Sequence, residues 1–248
     1  MFGSPVSATV HLIAGPTGVG KSDVASGLAL RTGAPVVVAD RIQCFTDLAT
    51  TSARAGAEVS GVRRVWLGDR TVADGDYSAE RAVDVLVETV SELSRTASSV
   101  IVEGGSISLL TVLAARLPRL PWDFTVQLLA RPADNSQYLR ALTSRAHVML
   151  RPEPPLRSLL DELAELWRDP AKRPFAASVN GLEAVLEWCD KHSLDPQEAT
   201  ISHVPEGLLD ELACLIALRH AEHGADQEKA FSELFSDLSM QLPARLGS

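Results

Sequence analysis

Thr9-Val10-His11-Leu12-Ile13-Ala14 runs directly into Gly15-Pro16-Thr17-Gly18-Val19-Gly20-Lys21-Ser22, and the reading of this stretch decides the fold. The apolar, β-branched run is a strand. The glycine-rich segment after it fits the phosphate-binding pattern GxxxxGK[ST] at every fixed position, and the amphipathic segment Lys21 to Arg31 begins a helix at its end. Glycines let the backbone wrap with its N–H groups turned inward, the helix N-terminus adds a favourable dipole, and Lys21 neutralises phosphate charge. Ser22 is placed to offer its hydroxyl to Mg²⁺. The competing reading, a glycine-rich turn with an incidental lysine, leaves the complete pattern and its strand-loop-helix setting unexplained. Gly15, Gly18, Gly20, Lys21 and Ser22 are therefore the candidate diphosphate-binding residues.

Outward from this loop, short apolar runs alternate with longer amphipathic stretches, the pattern of a parallel sheet covered by helices. Strands are predicted at Thr9 to Ala14, Pro35 to Ala39, Ser99 to Val102 and Phe124 to Ala130, with Arg64 to Leu67 a weaker fifth; helices are predicted at Ser78 to Ser94 and Ile107 to Leu117. After residue 150 the strands stop. The proline-rich linker Arg151 to Pro155 precedes helical periods at Leu156 to Trp167, Val179 to Lys191, Glu206 to Glu222 and Gln227 to Met240. The expected architecture is α/β: a P-loop NTPase-like parallel sheet covered by helices over residues 1–150, with a helical part over residues 151–248.

Composition narrows the classes. The 248 residues carry 23 Lys+Arg against 32 Asp+Glu, a net charge of −9, with 46% hydrophobic residues. That is enough apolar content for a buried core, and at roughly 150 residues per domain the chain holds one or two domains. No run of about 18 apolar residues is present for a membrane span, and the N-terminus lacks a secretory signal, so a cytoplasmic protein is expected. Three scattered cysteines, Cys44, Cys189 and Cys214, do not make a disulfide framework or a zinc site. His220, Glu222 and His223 lack the further ligands a structural metal needs and read as ordinary helix histidines. The acidic balance disfavours a protein that neutralises many nucleic-acid phosphates, but leaves room for a local basic pocket.

Two carboxylates stand where ligands of open α/β sheets bind, at the carboxyl ends of strands. Asp40 ends the second strand, in Asp40-Arg41-Ile42-Gln43-Cys44, and is a candidate base; a helix cap or a salt bridge to Arg41 is the alternative. Glu103 ends Val100-Ile101-Val102, where an acid would approach a metal shell, ahead of Gly104-Gly105-Ser106. Thr50-Thr51-Ser52-Ala53-Arg54 offers hydroxyls and a guanidinium to a polar ligand. A GTPase is excluded, because neither a DxxG switch nor an NKxD base-reading motif is present further along. A small-molecule kinase, with Arg131, Arg140 and Arg145 as a phosphate-clamping lid, remains an alternative.

Taken together, GPTGVGKS at Gly15 to Ser22, ADRIQC at Ala39 to Cys44, TTSAR at Thr50 to Arg54, EGGSISLL at Glu103 to Leu110 and LLDELAELWRDPAKRP at Leu159 to Pro174 resemble the adenylate isopentenyltransferases, especially their bacterial branch. The resemblance runs from residue 8 to about 230, in the same order and with similar spacing. It implies transfer of a dimethylallyl group, or its hydroxylated analogue, from the diphosphate to N6 of AMP (or ADP or ATP), with Mg²⁺ as cofactor. By this resemblance Asp40 is the general base and Thr17 lies near the leaving oxygen. Lys21, Ser22, Arg145 and, less directly, Arg131 bind diphosphate. Asp40, Arg41, Ser52, Arg54 and Ser106 face the nucleotide, and Ser22, with Glu103 as a further candidate, serves the metal. The related tRNA dimethylallyltransferases share the P-loop and the aspartate but are usually longer; the short, acidic chain favours a free nucleotide over tRNA.

One segment departs from the family pattern. After Arg173-Pro174 the family usually shows an acidic residue, glycine, an aromatic and an arginine, whereas this chain has Asn180-Gly181-Leu182-Glu183. Members that accept a hydroxylated donor resemble one another in an acid and a histidine at the pocket end, here matched to Asn180 and His220, so donor choice is left open. A non-catalytic nucleotide-binding module is the alternative from outside enzymology. Leu166 and Trp167 are expected in the core. The oligomeric state is not legible.

Overall fold

The computed structural model describes residues 8–54 and 59–236. Five strands, β1 (Ala8–Ala14), β2 (Val36–Val38), β3 (Arg64–Trp66), β4 (Ser99–Gly104) and β5 (Trp122–Leu128), form one sheet in the order β3-β2-β4-β1-β5. Every pairing is parallel. The expected α/β class is observed, and the weakest of the anticipated strands is the sheet edge. Val36, Val37 and Val38 are all buried, as are Val100, Ile101 and Val102, because strands covered on both faces have no solvent side.

Helices α1 (Lys21–Thr32), α2 (Ala79–Leu93) and α3 (Ile107–Arg116) cover the sheet. On one face, Ala25 and Ala29 of α1 pack on Ile13, Val36 and Ile101. On the other, a continuous core joins Val10, Leu12, Val37 and Val102 to α2 and α3, and extends without a break into the C-terminal helices through Leu163, Trp188, Leu212 and Phe231. Leu166 lies in this core, and Trp167 packs against it with Arg173 over its ring.

The remaining helices are α4 (Asn135–Leu150), α5 (Leu159–Trp167), the short α6 (Arg173–Ala176), α7 (Leu182–His192) and α8 (Glu206–Leu234). Sequence periodicity missed α4, which Asp134 caps by accepting from the Ser136 N–H. It also divided α8, which is one helix of 29 residues, about 43 Å long at 1.5 Å per residue. Its buried stripe, Leu209, Leu212, Ala213, Ile216, Ala217, His220, Gly224, Gln227 and Phe231, keeps helical spacing throughout. The stripe turns polar at its centre. The division reflected the loss of apolar residues there, although the face itself continues. The helix expected to run to Met240 ends at Leu234, with Phe235 and Ser236 in a turn, and residues 237–240 lie outside the described residues.

Candidate active site

The loop after β1, the segment after β2 and the end of β4 meet at the carboxyl edge of the sheet. Gly18 (φ 75°) and Gly20 (φ 82°) occupy the left-handed region that lets the loop curl back on itself before α1. Lys21 Nζ donates to the Pro16 carbonyl at 2.6 Å, inside the curl. Burial pushes its pKa down to about 8; the nearby Asp40 charge opposes that shift and Arg145 adds to it. Ser22 Oγ donates to Glu103 Oε1 at 3.3 Å. The same carboxylate forms a buried ion pair with Arg64 of β3, whose other terminal nitrogen donates to Ser26 at 3.0 Å. Glu103 Oε2 is buried with no partner. Arg64 was not anticipated as a site residue; no motif marks it, and only its place at the sheet edge beside the β4 acid does.

Asp40 answers its sequence alternatives in a mixed way. Its Oδ1 accepts from the Ile42 N–H at 2.9 Å and the Gln43 N–H at 3.4 Å, so one oxygen caps the turn after β2. The salt bridge to Arg41 does not form; Arg41 donates to the Tyr77 carbonyl at 2.6 Å and pairs with Asp76. Asp40 lines two cavities of about 430 Å³ each. One holds the P-loop residues Gly18, Gly20, Lys21 and Ser22 together with Glu103. The other is lined by Arg41, Thr51, Ser106, Asn180, His220 and His223, among others. Thr17, Asp40, Ser52, Gly105, Arg145 and Gln227 line both, so they form the junction.

Helices from the C-terminal half complete this junction. Arg145 of α4 is half-buried, its Nε is buried without a hydrogen-bond partner, and desolvation lowers its pKa. In the second cavity Asn180 Oδ1 and His220 Nδ1 are likewise buried and unpartnered. His220 is pushed down to about 4, chiefly by burial and then by Arg145 and His223, and burial also lowers His223. Both rings are thus neutral hydrogen-bonding groups at physiological pH. His223 was passed over as a pocket residue, although it stands one turn from His220 on the same helix. Among the described residues no group of three or more His, Cys, Asp and Glu is arranged to hold a metal.

Several sequence candidates are engaged elsewhere. Arg54 donates to the Gln43 and Gly68 carbonyls, pairs with Asp69 and stacks on Trp66, bracing the loop from outside the two cavities. Arg131 is tied to Glu228 through its backbone N–H and Nε at 2.9 and 2.8 Å. Arg140 is exposed and bonds Ser136. Of the three arginines proposed as a lid, only Arg145 faces the junction. Gly15 packs against the Leu129 carbonyl rather than facing the P-loop cavity.

Ser52 follows two threonines held by a carboxylate of the Leu159 to Pro174 segment that the sequence reading did not single out as a site residue. Glu162 of α5, 2% exposed, accepts from the Thr50 N–H at 2.8 Å, the Thr51 N–H at 2.9 Å and the Thr51 hydroxyl at 2.7 Å. Burial raises its pKa, against the pull of these bonds. Glu162→Ala leaves three donors without a partner and should cost about 3 kcal/mol of stability. Urea unfolding of the variant measures this, and an unchanged midpoint would remove Glu162 from the framework.

A parallel sheet whose P-loop lines one chamber, joined at an aspartate to a second chamber, defines a P-loop α/β protein. Residues 8–240 match the isopentenyl transferase family model, and the chain belongs to that family. It is 42% identical over 227 residues to the adenylate dimethylallyltransferase of Rhodococcoides fascians, covering 91% of this chain and 89% of that protein. It is 35% identical to the adenylate dimethylallyltransferase of Agrobacterium tumefaciens strain T37, covering 90% and 91%. A tRNA isopentenylpyrophosphate transferase from Bacillus halodurans shares the fold, with a TM-score of 0.68 at 13% identity over 91% of this chain and 87% of that one. No helix among the described residues is long and apolar enough to cross a membrane.

Proposed function

We propose that the protein transfers a dimethylallyl group, or its hydroxylated analogue, from the diphosphate to the exocyclic N6 of AMP in the cytoplasm. The observation that carries this reading is the junction: the phosphate chamber and the second chamber meet at Thr17, Asp40, Ser52 and Arg145. One substrate delivers its diphosphate to the P-loop, the other its adenine to the far side, and the reacting atoms meet between them.

The P-loop N–H groups and Lys21 hold the diphosphate, and Arg145 approaches it from α4. The allylic C–O bond breaks as negative charge moves onto the departing diphosphate, which these fixed cations and dipoles stabilise. The N6 lone pair, weakened by delocalisation into the ring, forms the new C–N bond while Asp40 takes the N6 proton. Donor, acceptor and base are held in line, which removes most of the entropic cost of the encounter. The packed helices over the junction keep water from capturing the allylic carbon. The unpartnered Glu103 Oε2 and the Ser22 hydroxyl are oxygen donors suited to Mg²⁺, which binds through few protein ligands beside substrate phosphates and waters. When bound there it would add positive charge against the leaving diphosphate.

The kinase alternative loses its support with the lid, since Arg131 and Arg140 are committed elsewhere. A tRNA acceptor is disfavoured by the net charge of −9. Incubating the protein with AMP, Mg²⁺ and dimethylallyl diphosphate should yield N6-prenylated nucleotide and diphosphate, detected by mass spectrometry. Absence of product with every adenine nucleotide and both donors would overturn the assignment.

A further inference from the structure

The main chain of Thr17 is held by side chains from two distant helices. Its N–H donates to Gln227 Oε1 of α8 at 2.8 Å, and its carbonyl accepts from the Tyr138 hydroxyl of α4 at 2.7 Å. Gln227 is 4% exposed and lines both chambers, and its amide also donates to the Gly105 carbonyl at 2.6 Å, beside the end of β4. Tyr138 is 1% exposed. Its hydroxyl reaches Thr17 across residue 224, where any Cβ would collide with it, so the glycine of α8 is what admits the second bond.

This arrangement sets Thr17 apart from the rest of its loop. An N–H in a P-loop ordinarily turns towards phosphate. Here that donor is given to a side-chain amide, and the residue's contribution to the ligand is left to its hydroxyl. Both main-chain polar groups are fixed, so the Cα–Cβ direction is fixed with them.

We infer that Gln227, assisted by Tyr138, is a positioning residue that aims the Thr17 hydroxyl at the junction and locks the P-loop to the segment after β4. The inference rests on the proposed transfer reaction for its kinetic consequence and on the hydrogen bonds alone for its structural one. Because the group acts on aim rather than on diphosphate binding, its loss lowers kcat and leaves KM for the donor nearly unchanged. A displacement of about 1 Å at a reacting centre costs on the order of 100-fold.

The test is a double-mutant cycle of Gln227→Met, which preserves volume and removes both bonds, with Thr17→Ala. Gln227→Met should lower kcat by about 30- to 100-fold in the parent, with KM for dimethylallyl diphosphate within about threefold. In the Thr17→Ala background the same change should cost no more than about twofold, because the group it aims is gone. Equal losses in both backgrounds, or a raised KM at constant kcat, would overturn the inference. Tyr138→Phe removes one hydroxyl from an otherwise unchanged core and should lower kcat by about fivefold with the same background dependence; this holds the test open should Gln227→Met fold poorly. Amide exchange at Thr17 is read in parallel, and should be at least about tenfold faster in Gln227→Met and unchanged in Thr17→Ser. Should the parent transfer no prenyl group, the assigned reaction fails, and this exchange measurement alone decides whether the clasp exists.

Discussion

Asp40→Asn is expected to reduce prenyl transfer by about 10²- to 10⁴-fold while the folded protein and its grip on diphosphate survive. The choice of asparagine comes from the structure. Asp40 Oδ1 caps the Ile42 and Gln43 N–H groups, and Asn is as good a cap as Asp, whereas alanine would cost about 1 kcal/mol at the turn and confuse the two roles. The amide cannot accept a proton from N6. Its neutral side chain also withdraws a negative charge that acts on Lys21 and Arg145, so pyrophosphate affinity at pH 6.5 should be equal to or tighter than that of the parent. Rapid-quench kinetics and calorimetry with pyrophosphate read the two quantities separately. Retention of more than about a tenth of the parent rate would take Asp40 out of the proton transfer.

Lys21→Met should act on the opposite substrate property. The ammonium lies inside the loop, on a half-buried side chain held by the Pro16 carbonyl, so its charge meets phosphate at close range with reduced screening. Its loss is expected to lower kcat/KM for the donor by about 10²- to 10³-fold and to abolish calorimetric pyrophosphate binding at millimolar concentrations. The same residue sets an alkaline limit. A lysine depressed to about 8 is cationic below that pH and loses its proton as pH rises through it. In the free enzyme, kcat/KM for the donor should therefore fall above about pH 8, by tenfold per pH unit. A profile flat to pH 10 would mean that Lys21 keeps an ordinary lysine's proton affinity.

The parts of the fold and site that could be read from sequence are those encoded by contiguous residues. The P-loop, the five strands and the placement of Asp40 and Glu103 at strand ends come from local patterns, each complete within a few residues. Helix α4 escaped because its buried face is narrow, Tyr138, Leu142, Ala146 and Met149, and is interrupted by the arginines that drew attention instead. Helix α8 was divided because its inward face becomes polar over the junction, where hydrophobic periodicity no longer reports burial. Gln227, Tyr138 and Arg64 carry no motif, and nothing within the Leu159 to Pro174 segment marks Glu162 as the buried acceptor. Each acts through a partner between 39 and 210 positions away, a relation that one-dimensional pattern cannot express. Charged residues were misplaced for a related reason: Arg54 and Arg131 have the right chemistry for phosphate, but their neighbours in space, Asp69 and Glu228, claim them first.

The bond between Thr17 and Gln227 joins residues 210 positions apart, nearly the two ends of the described chain. Contacts of such long range form late, since loop closure must precede them, and a chain made from its N-terminus cannot form this one until residue 227 has been made and α8 has docked. The GxxxxGKS loop lies 210 positions ahead of the side chain that holds Thr17, so its final shape waits on the docking of α8. A partly made or C-terminally truncated chain would thus carry the whole GxxxxGKS sequence while lacking the clasp that Gln227 and Tyr138 place on Thr17.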